Sequence, residues 1–97
     1  MSDPGSSIRL DKWLWQARFC KSRTIAAALI TDGAIRVNSA RVTKPATTIK
    51  AGDGLSFFHG GRVRVIRVLA LGERRGPAPE ARLLYFELED TAATRDA

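Results

Sequence analysis

Hydrophobic and polar positions change period once along this chain, just after Gly33, and the change separates a helical part from a sheet-forming part. From Arg9 to Gly33 (RLDKWLWQARFCKSRTIAAALITDG) the spacing predicts two short helices meeting at Cys20-Lys21. In the first, Leu10, Trp13, Leu14 and Ala17 share one arc at about 100° per residue, the expected core face. Lys12 and Gln16 fall opposite. Asp11 is expected to open this helix, its carboxylate accepting from the free N–H groups of the first turn. Trp15 and Phe19 also lie on the far side, so another segment must cover them; Tyr85 and Phe86 near the C-terminus are the expected partners. Ser22 is a good N-cap for the second helix, whose buried stripe is Ile25 or Ala26 with Leu29 and Ile30. Gly33 ends it by taking a left-handed conformation at little cost. A connection this short makes the helices cross at an angle, as in a helix-turn-helix.

Beyond Gly33 the period is two. Ile35 and Val37 alternate with Arg36 and Asn38, and Asn38-Ser39 turns the chain before Arg41-Val42-Thr43. Pro45 makes residues 44–48 an edge or a loop. Ala51 to Gly54 is a tight turn, Leu55 to Phe58 a strand, and His59-Gly60-Gly61 a hairpin turn. Arg62 to Leu71 reads as the longest strand, with Arg62 and Arg64 alternating against Val63 and Val65. The slip at Ile66-Arg67 predicts a bulge or a strand covered on both faces. Residues 72–79 form a basic loop, and Leu83 to Leu88 a last strand added to the sheet. The expected organisation is a flexible N-terminus (1–7), one domain (8–71), an extension packed on it (72–88) and a flexible tail (89–97).

Composition narrows the function. Ninety-seven residues make one domain with a modest core. The formal charge is +6, and it is unevenly spread: residues 1–79 hold 14 basic and 5 acidic side chains, residues 80–97 hold 2 and 5. A basic body with an acidic tail is the footprint of a polyanion binder, although an anionic membrane surface fits the charge alone. A single cysteine, Cys20, excludes an internal disulfide, and with a single histidine, His59, it argues against a metal site. No stretch has the ~18 apolar residues of a membrane span, and MSDPGSS is no leader, so the cytoplasm is the default compartment. His59 in a glycine-rich turn reads as a solvated residue rather than a general base. The acids are scattered or lie in the tail, and no glycine-rich loop joins a strand to a helix. The expectation is no catalytic residue, no cofactor and no metal.

Binding chemistry is better represented. Ser22 starts a helix whose free N–H groups lie beside Lys21 and Arg23, a favourable arrangement for phosphate; the plain alternative is an N-cap with solvated neighbours. Arg9 and Lys12 begin the first helix and can face the same groove. Arg36, Arg41 and Lys44 on the first hairpin can extend the patch, and each alone reads equally as a solvated edge charge. Arg18 fits a place over a tryptophan, a carboxylate or a ligand. Arg62, Arg64 and Arg67 belong to another sheet face. Trp15 either stacks on an unpaired base or packs under the C-terminal segment.

These landmarks form an ordered pattern: Arg9-Leu10-Asp11, Phe19, Ser22-Arg23, Ala26, Leu29-Ile30, Gly33, Val37-Asn38, Lys44-Pro45 and Gly52-Asp53. Over about residues 8–58 the pattern resembles an S4 RNA-binding domain. That resemblance implies an α+β fold, with two helices packed on a small mainly antiparallel sheet and a C-terminal strand added. It also implies structured RNA held against the helix pair and the adjoining hairpin. Arg9, Lys12, Lys21, Ser22, Arg23, Asn38 and Lys44 fall where such domains present polar side chains to RNA. RLDKWLW at 9–15 and ERRGPAPEARLLY at 73–85 are similar to the ribosome-associated heat shock protein 15 subfamily, which implies large ribosomal subunits carrying stalled nascent chains as partners. Ala27 replaces a usual arginine, Ser39 replaces the turn glycine, and a basic tail after Leu88 is missing. The reading is therefore a monomeric RNA-binding protein docking on ribosomal RNA through Arg9, Lys12, Lys21, Ser22, Arg23, Asn38, Arg41 and Lys44. The rivals are the RNA-targeting fragment of an enzyme such as a pseudouridine synthase, for which nothing after Leu88 houses a catalytic domain, and a duplex DNA-binding helix-turn-helix protein. The second helix offers mostly Ala, Leu and Ile after Arg23, poor material for reading base edges. The reading requires the cationic helix ends to share one solvent-facing ledge.

Overall fold

The structure, a computed structural model, describes residues 6–59 and 61–88. Ile8–Arg9 (β1) runs directly into a helix at Leu10–Gln16 (α1), followed by a second at Arg23–Thr31 (α2). Then come Ile35–Val37 (β2), Ala40–Val42 (β3), Thr48–Ile49 (β4), Gly54–His59 (β5) and Arg62–Val68 (β6). A short helix at Ala78–Ala81 (α3) and a 3-10 turn at Arg82–Leu84 lead to Tyr85–Glu87 (β7). β3-β2-β5-β6-β7 form one antiparallel sheet, and β1 pairs separately with β4. The α+β architecture is the expected one. β1 and β4 are additional: Arg9 is expected to begin the first helix and residues 44–48 to be an edge or a loop, whereas Ile8–Arg9 and Thr48–Ile49 pair as strands.

Core formation follows the two periods. Leu10, Trp13 and Leu14 from α1, with Ala26 and Ile30 from α2, are fully buried against Ile35, Leu55, Phe57, Ile66 and Val68 of the sheet. Ile25 is exposed, so the stripe of α2 is Ala26, Leu29 and Ile30. Both helices end the same way. Gly33 (φ 75°) follows α2, with its N–H bonded to the Ile30 carbonyl and the Ala34 N–H to Leu29. Arg18 (φ 67°) follows α1, with its N–H on Trp15 and the Phe19 N–H on Leu14. These are paired Schellman closures, but only the second carries the expected glycine. A left-handed arginine costs on the order of 1–2 kcal/mol. The Arg18 Nε bond to the Gly76 carbonyl (2.7 Å) offsets part of that. The first helix therefore stops at Gln16, short of Cys20, and turns Phe19 inward.

Three sequence expectations are corrected here. Asp11 does not cap α1: Arg9 occupies the cap position without a side-chain cap bond, and Asp11 lies buried in the first turn. Gln16 is buried rather than solvated, because its Nε2 donates to the Leu71 carbonyl at 2.9 Å. β6 has neither slip nor bulge: its pairing with β5 is continuous from His59↔Arg62 to Gly54↔Arg67. Arg64 shares the core-facing side with Ile66 and Val68, while Val63 points to solvent. Arg62, Arg64 and Arg67, expected to share another sheet face, are therefore split: Arg62 and Arg64 lie on the core side of β6 and Arg67 on the outward side.

The reason lies in the C-terminal extension, which covers the core-facing end of the sheet. Arg64 pairs with Glu87 of β7 and lies 5.5 Å over the Phe19 ring. Tyr85 packs on Phe19 at 4.7 Å and edge-on to Trp13 at 6.5 Å. His59, read as a solvated turn residue, sits edge-on to Phe19 and its Nδ1 lies 3.0 Å from Arg64 Nη1. Trp15 is covered by the extension as one reading held, but by Arg75 (5.8 Å over the ring) rather than by Tyr85 or Phe86. Phe86 is exposed. The last apolar stretch is part 3-10 turn and part strand, and α3 precedes it where only loop was expected.

The hydrogen bonds from Arg64 hold the Glu87 carboxyl below the usual carboxylate range, with the Arg64 and Arg62 charges adding to them against a smaller opposing effect of burial. A depressed folded-state value means stability that is complete above the ordinary carboxylate range and is lost as pH falls through the depressed value. Glu87→Gln should therefore flatten the acid limb of the stability curve. At neutral pH, Glu87→Ala should lower the unfolding free energy by about 1–3 kcal/mol, below the range for a fully buried pair because Glu87 is a third exposed. Urea melts at several pH values measure both, and a variant as stable as the wild type throughout would contradict this role.

Candidate nucleic-acid interface

Three segments meet at the start of α1, two through backbone pairing and the third through the side chain of Arg23. β1 lies against β4, the Leu10 N–H bonds to the Thr47 carbonyl at 2.8 Å, and the Asp11 N–H reaches the Pro45 carbonyl at 3.4 Å. The turn carrying Lys44 is closed by the Thr47 N–H on the Lys44 carbonyl at 2.9 Å, which holds the backbone of this turn against the start of α1. The third segment is the N-terminus of α2, where the Ser22 Oγ accepts from the Ile25 N–H at 3.1 Å. That bond satisfies one free donor and sets the direction in which Arg23 leaves the helix.

Asp11 gathers the charges. Its carboxylate is buried, and it accepts from Arg9 Nε (3.1 Å) and Nη2 (3.0 Å) on one side and from Arg23 Nη2 (3.5 Å) on the other. Burial pushes this carboxyl up. The Arg9 hydrogen bonds, the charges of Arg9 and Arg23 and the Lys12 N–H outweigh that and hold it below its ordinary value. Both guanidinium side chains stay about half exposed, 51% for Arg9 and 43% for Arg23. One negative charge against two positive ones leaves net positive charge and several unused N–H donors facing solvent. The ion pairing is thus a bracket that orders two arginines and does not neutralise them.

Not every candidate joins this cluster. Lys12, Lys21 and Lys44 make no side-chain hydrogen bond or ion pair among the described residues. Lys12 follows Asp11 on α1, and Lys21 precedes the Ser22 cap. Asn38 and Arg41 belong to the β2–β3 hairpin, and no hydrogen bond or ion pair among the described residues links them to Asp11. Asn38 is used internally: its Oδ1 accepts from the Gly54 N–H at 2.9 Å and its Nδ2 donates to Asp53 at 3.2 Å. These bonds stabilise a turn in which Asn38 (φ 51°) and Ser39 (φ 75°) are both left-handed, so the turn forms without the usual glycine. Arg41 stands opposite Arg36 on the outward face of the sheet, its chain lying over Gly33. Ala27 is half-buried on α2.

What sequence reasoning missed is the bracket itself. The available signal was one aspartate placed two residues from Arg9 and twelve from Arg23 in an otherwise cationic run. Among the described residues no group of His, Cys, Asp and Glu is placed to hold a metal ion, and no helix is long and apolar enough to cross a membrane.

Asp11→Asn separates positioning from net charge. Removing a negative charge favours polyanion binding on electrostatic grounds alone, whereas loss of the bracket frees two side chains whose rotamer entropy must then be lost on binding. The expected result is weaker RNA binding despite the gain of one positive charge, measured by filter binding at fixed salt. Tighter binding would show that Arg9 and Arg23 act as unpositioned charges.

Comparison with known proteins bears on the fold and the family. The S4 domain family matches residues 8–55. A heat shock protein 15 homologue of Haemophilus influenzae is 42% identical over 89 residues, 92% of this chain and 67% of its own length. A Listeria innocua protein named RQC P-site tRNA stabilizing factor is 35% identical over 85 residues, 88% of this chain and 90% of that relative. The trimeric structure of Vibrio cholerae heat shock protein 15 at 2.3 Å resolution matches with a TM-score of 0.84 and 33% identity, covering 94% of this chain and 91% of the other. The family match and these relatives, which cover most of the chain, agree, and the chain belongs to the heat shock protein 15 group of the S4 domain family.

Proposed function

We propose that this chain is a non-enzymatic RNA-binding protein of the cytoplasm that docks on structured ribosomal RNA of the large subunit. The ledge formed by Arg9, Arg23 and Lys44 around Asp11 carries the reading. Lys12, Lys21 and the N-terminus of α2 extend it. Its relatives support the ribosomal setting: one is named for stabilising P-site tRNA, and the others are heat shock protein 15. Planar guanidiniums offer fixed donor pairs that match phosphate oxygens, and half-exposed, pre-oriented ones lose little freedom on contact. The N–H groups at the start of α2 add a dipole end facing the same anion. Affinity then comes from phosphates, and selectivity from a folded RNA whose backbone matches the spacing of the ledge.

On this reading the working unit is a monomer with one RNA site per chain. The Vibrio relative is described as trimeric. Sedimentation velocity of this protein, alone and with RNA, distinguishes a monomeric binder from a trimer carrying three ledges.

With about four phosphate contacts, affinity for a ribosomal RNA fragment should fall on the order of a hundredfold between roughly 50 and 200 mM monovalent salt. Arg9→Ala or Arg23→Ala should each weaken binding by about 1–2 kcal/mol and reduce the salt slope by about one. In cell extracts the wild-type protein should co-sediment with large ribosomal subunits, and the double variant should not. Binding that ignores both salt and these substitutions, or that prefers duplex DNA in direct competition, overturns the proposal.

A further inference from the structure

The sheet has a second face that the helices do not touch. The side chains of Ile35, Leu55, Phe57, Ile66 and Val68 point into the core, so the alternate positions point away from it. Those positions carry two exposed aromatic rings, Phe58 on β5 (63% exposed) and Phe86 on β7 (56%), with exposed Val63 paired beside Phe58. Three arginines share the face: Arg36 and Arg41 directly opposite each other on β2 and β3, and Arg67 directly opposite Phe86. No acidic residue occupies an outward position of these strands; Glu87, the one strand carboxylate, faces the core side in its pair with Arg64.

Two shallow depressions lie on this face and meet at Ser56. One, of about 240 Å³, has Arg67 and Asn38 on its wall. The other, of about 210 Å³, has Arg36 and Phe58. Each therefore offers a guanidinium, and rings stand at both ends. From ideal sheet spacings Phe58 and Phe86 are about 16 Å apart, two strands across and four residues along.

We infer that this outward sheet face binds a short unpaired stretch of RNA, with bases stacked on Phe58 and Phe86 and phosphates held by Arg36, Arg41 and Arg67. Charge decides between occupants. A second copy docked face to face would set these arginines against their counterparts, a like-charge arrangement that costs energy at an interface. A polyanion neutralises them instead. Stacking on exposed rings beside arginine is the physical basis of single-strand recognition, and it tolerates sequence because every base has a π-face. The site is separate from the Asp11 ledge: the ledge takes folded RNA through phosphates, while the sheet takes unpaired bases through stacking. The inference rests on the RNA-binding reading and extends it to a second RNA element.

The test uses the full chain and two probes, an unstructured oligoribonucleotide carrying 2-aminopurine and a folded ribosomal RNA fragment. Phe58→Ser with Phe86→Ser removes both rings at solvent-exposed positions, and circular dichroism checks that the fold persists. The expected result is fluorescence quenching of the oligonucleotide by wild type, with quenching lost and affinity reduced about tenfold or more in the double variant. Binding of the folded fragment should stay within about twofold, as additivity at separate sites requires. Arg9→Ala with Arg23→Ala should give the opposite pattern. Oligonucleotide binding that is absent, or unchanged by the ring substitutions, overturns this inference while leaving the ledge intact. Self-association of the wild type that the ring substitutions abolish also overturns it, because the face would then join copies. Failure of both probes to bind would sink the RNA reading itself.

Discussion

A single buried carboxylate holds the working surface together. Asp11 lies at the start of α1, where the helix dipole favours negative charge, and its two oxygens reach guanidiniums from different elements. The position is cooperative in the physical sense. The carboxylate tolerates burial because two cations compensate it, and the cations are ordered because it is buried and cannot move. Remove Asp11 and both arginines lose the partner that orders them. On the proposed reading, binding power comes from this arrangement, in which one carboxylate faces two guanidiniums and positive charge is left over.

The rest of the fold serves to place that carboxylate. β1 and β4 are only two residues each, yet their pairing brings the Lys44 turn against α1 and supplies the Pro45 and Thr47 carbonyls that hold its first N–H groups. Further along α1 the segment that follows β6 does the corresponding work. Trp13 Nε1 donates to the Ala70 carbonyl at 3.0 Å, and Arg75 Nε to the Trp15 carbonyl at 3.0 Å. A seven-residue helix would be marginal alone in water. Fixed at both ends and buried along one face, α1 is a rigid mount.

Much of this was legible in the sequence, and the exceptions have identifiable causes. The core stripe of α1, the Ser22 cap, the Gly33 stop and the Asn38-Ser39 turn follow from local rules, because local geometry alone selects those residues. The same rules erred wherever a distant segment supplied the partner. Gln16 is buried because Leu71, fifty-five residues away, offers a carbonyl. Arg64 faces the core because Glu87 lies across the neighbouring strand, which reverses the inward and outward sides of β6 relative to the apparent alternation of valine and arginine. Arg18 closes α1 in a conformation that usually calls for glycine, helped by a carbonyl fifty-eight residues later. Of the candidate site, the basic run and its elements were readable. The bracket was not, since no periodicity marks a carboxylate that pairs across two helices.

The central claim is that Arg9 and Arg23 meet RNA as one pre-ordered unit. Arginine Nε–Hε resonances followed by NMR during titration with a ribosomal RNA fragment test it directly. The account predicts that Arg9 and Arg23 signals are sharp and dispersed in the free protein, showing restrained side chains, and that they shift together and first as RNA is added. Averaged signals in the free protein, or shifts at other arginines while these two stay fixed, would contradict it.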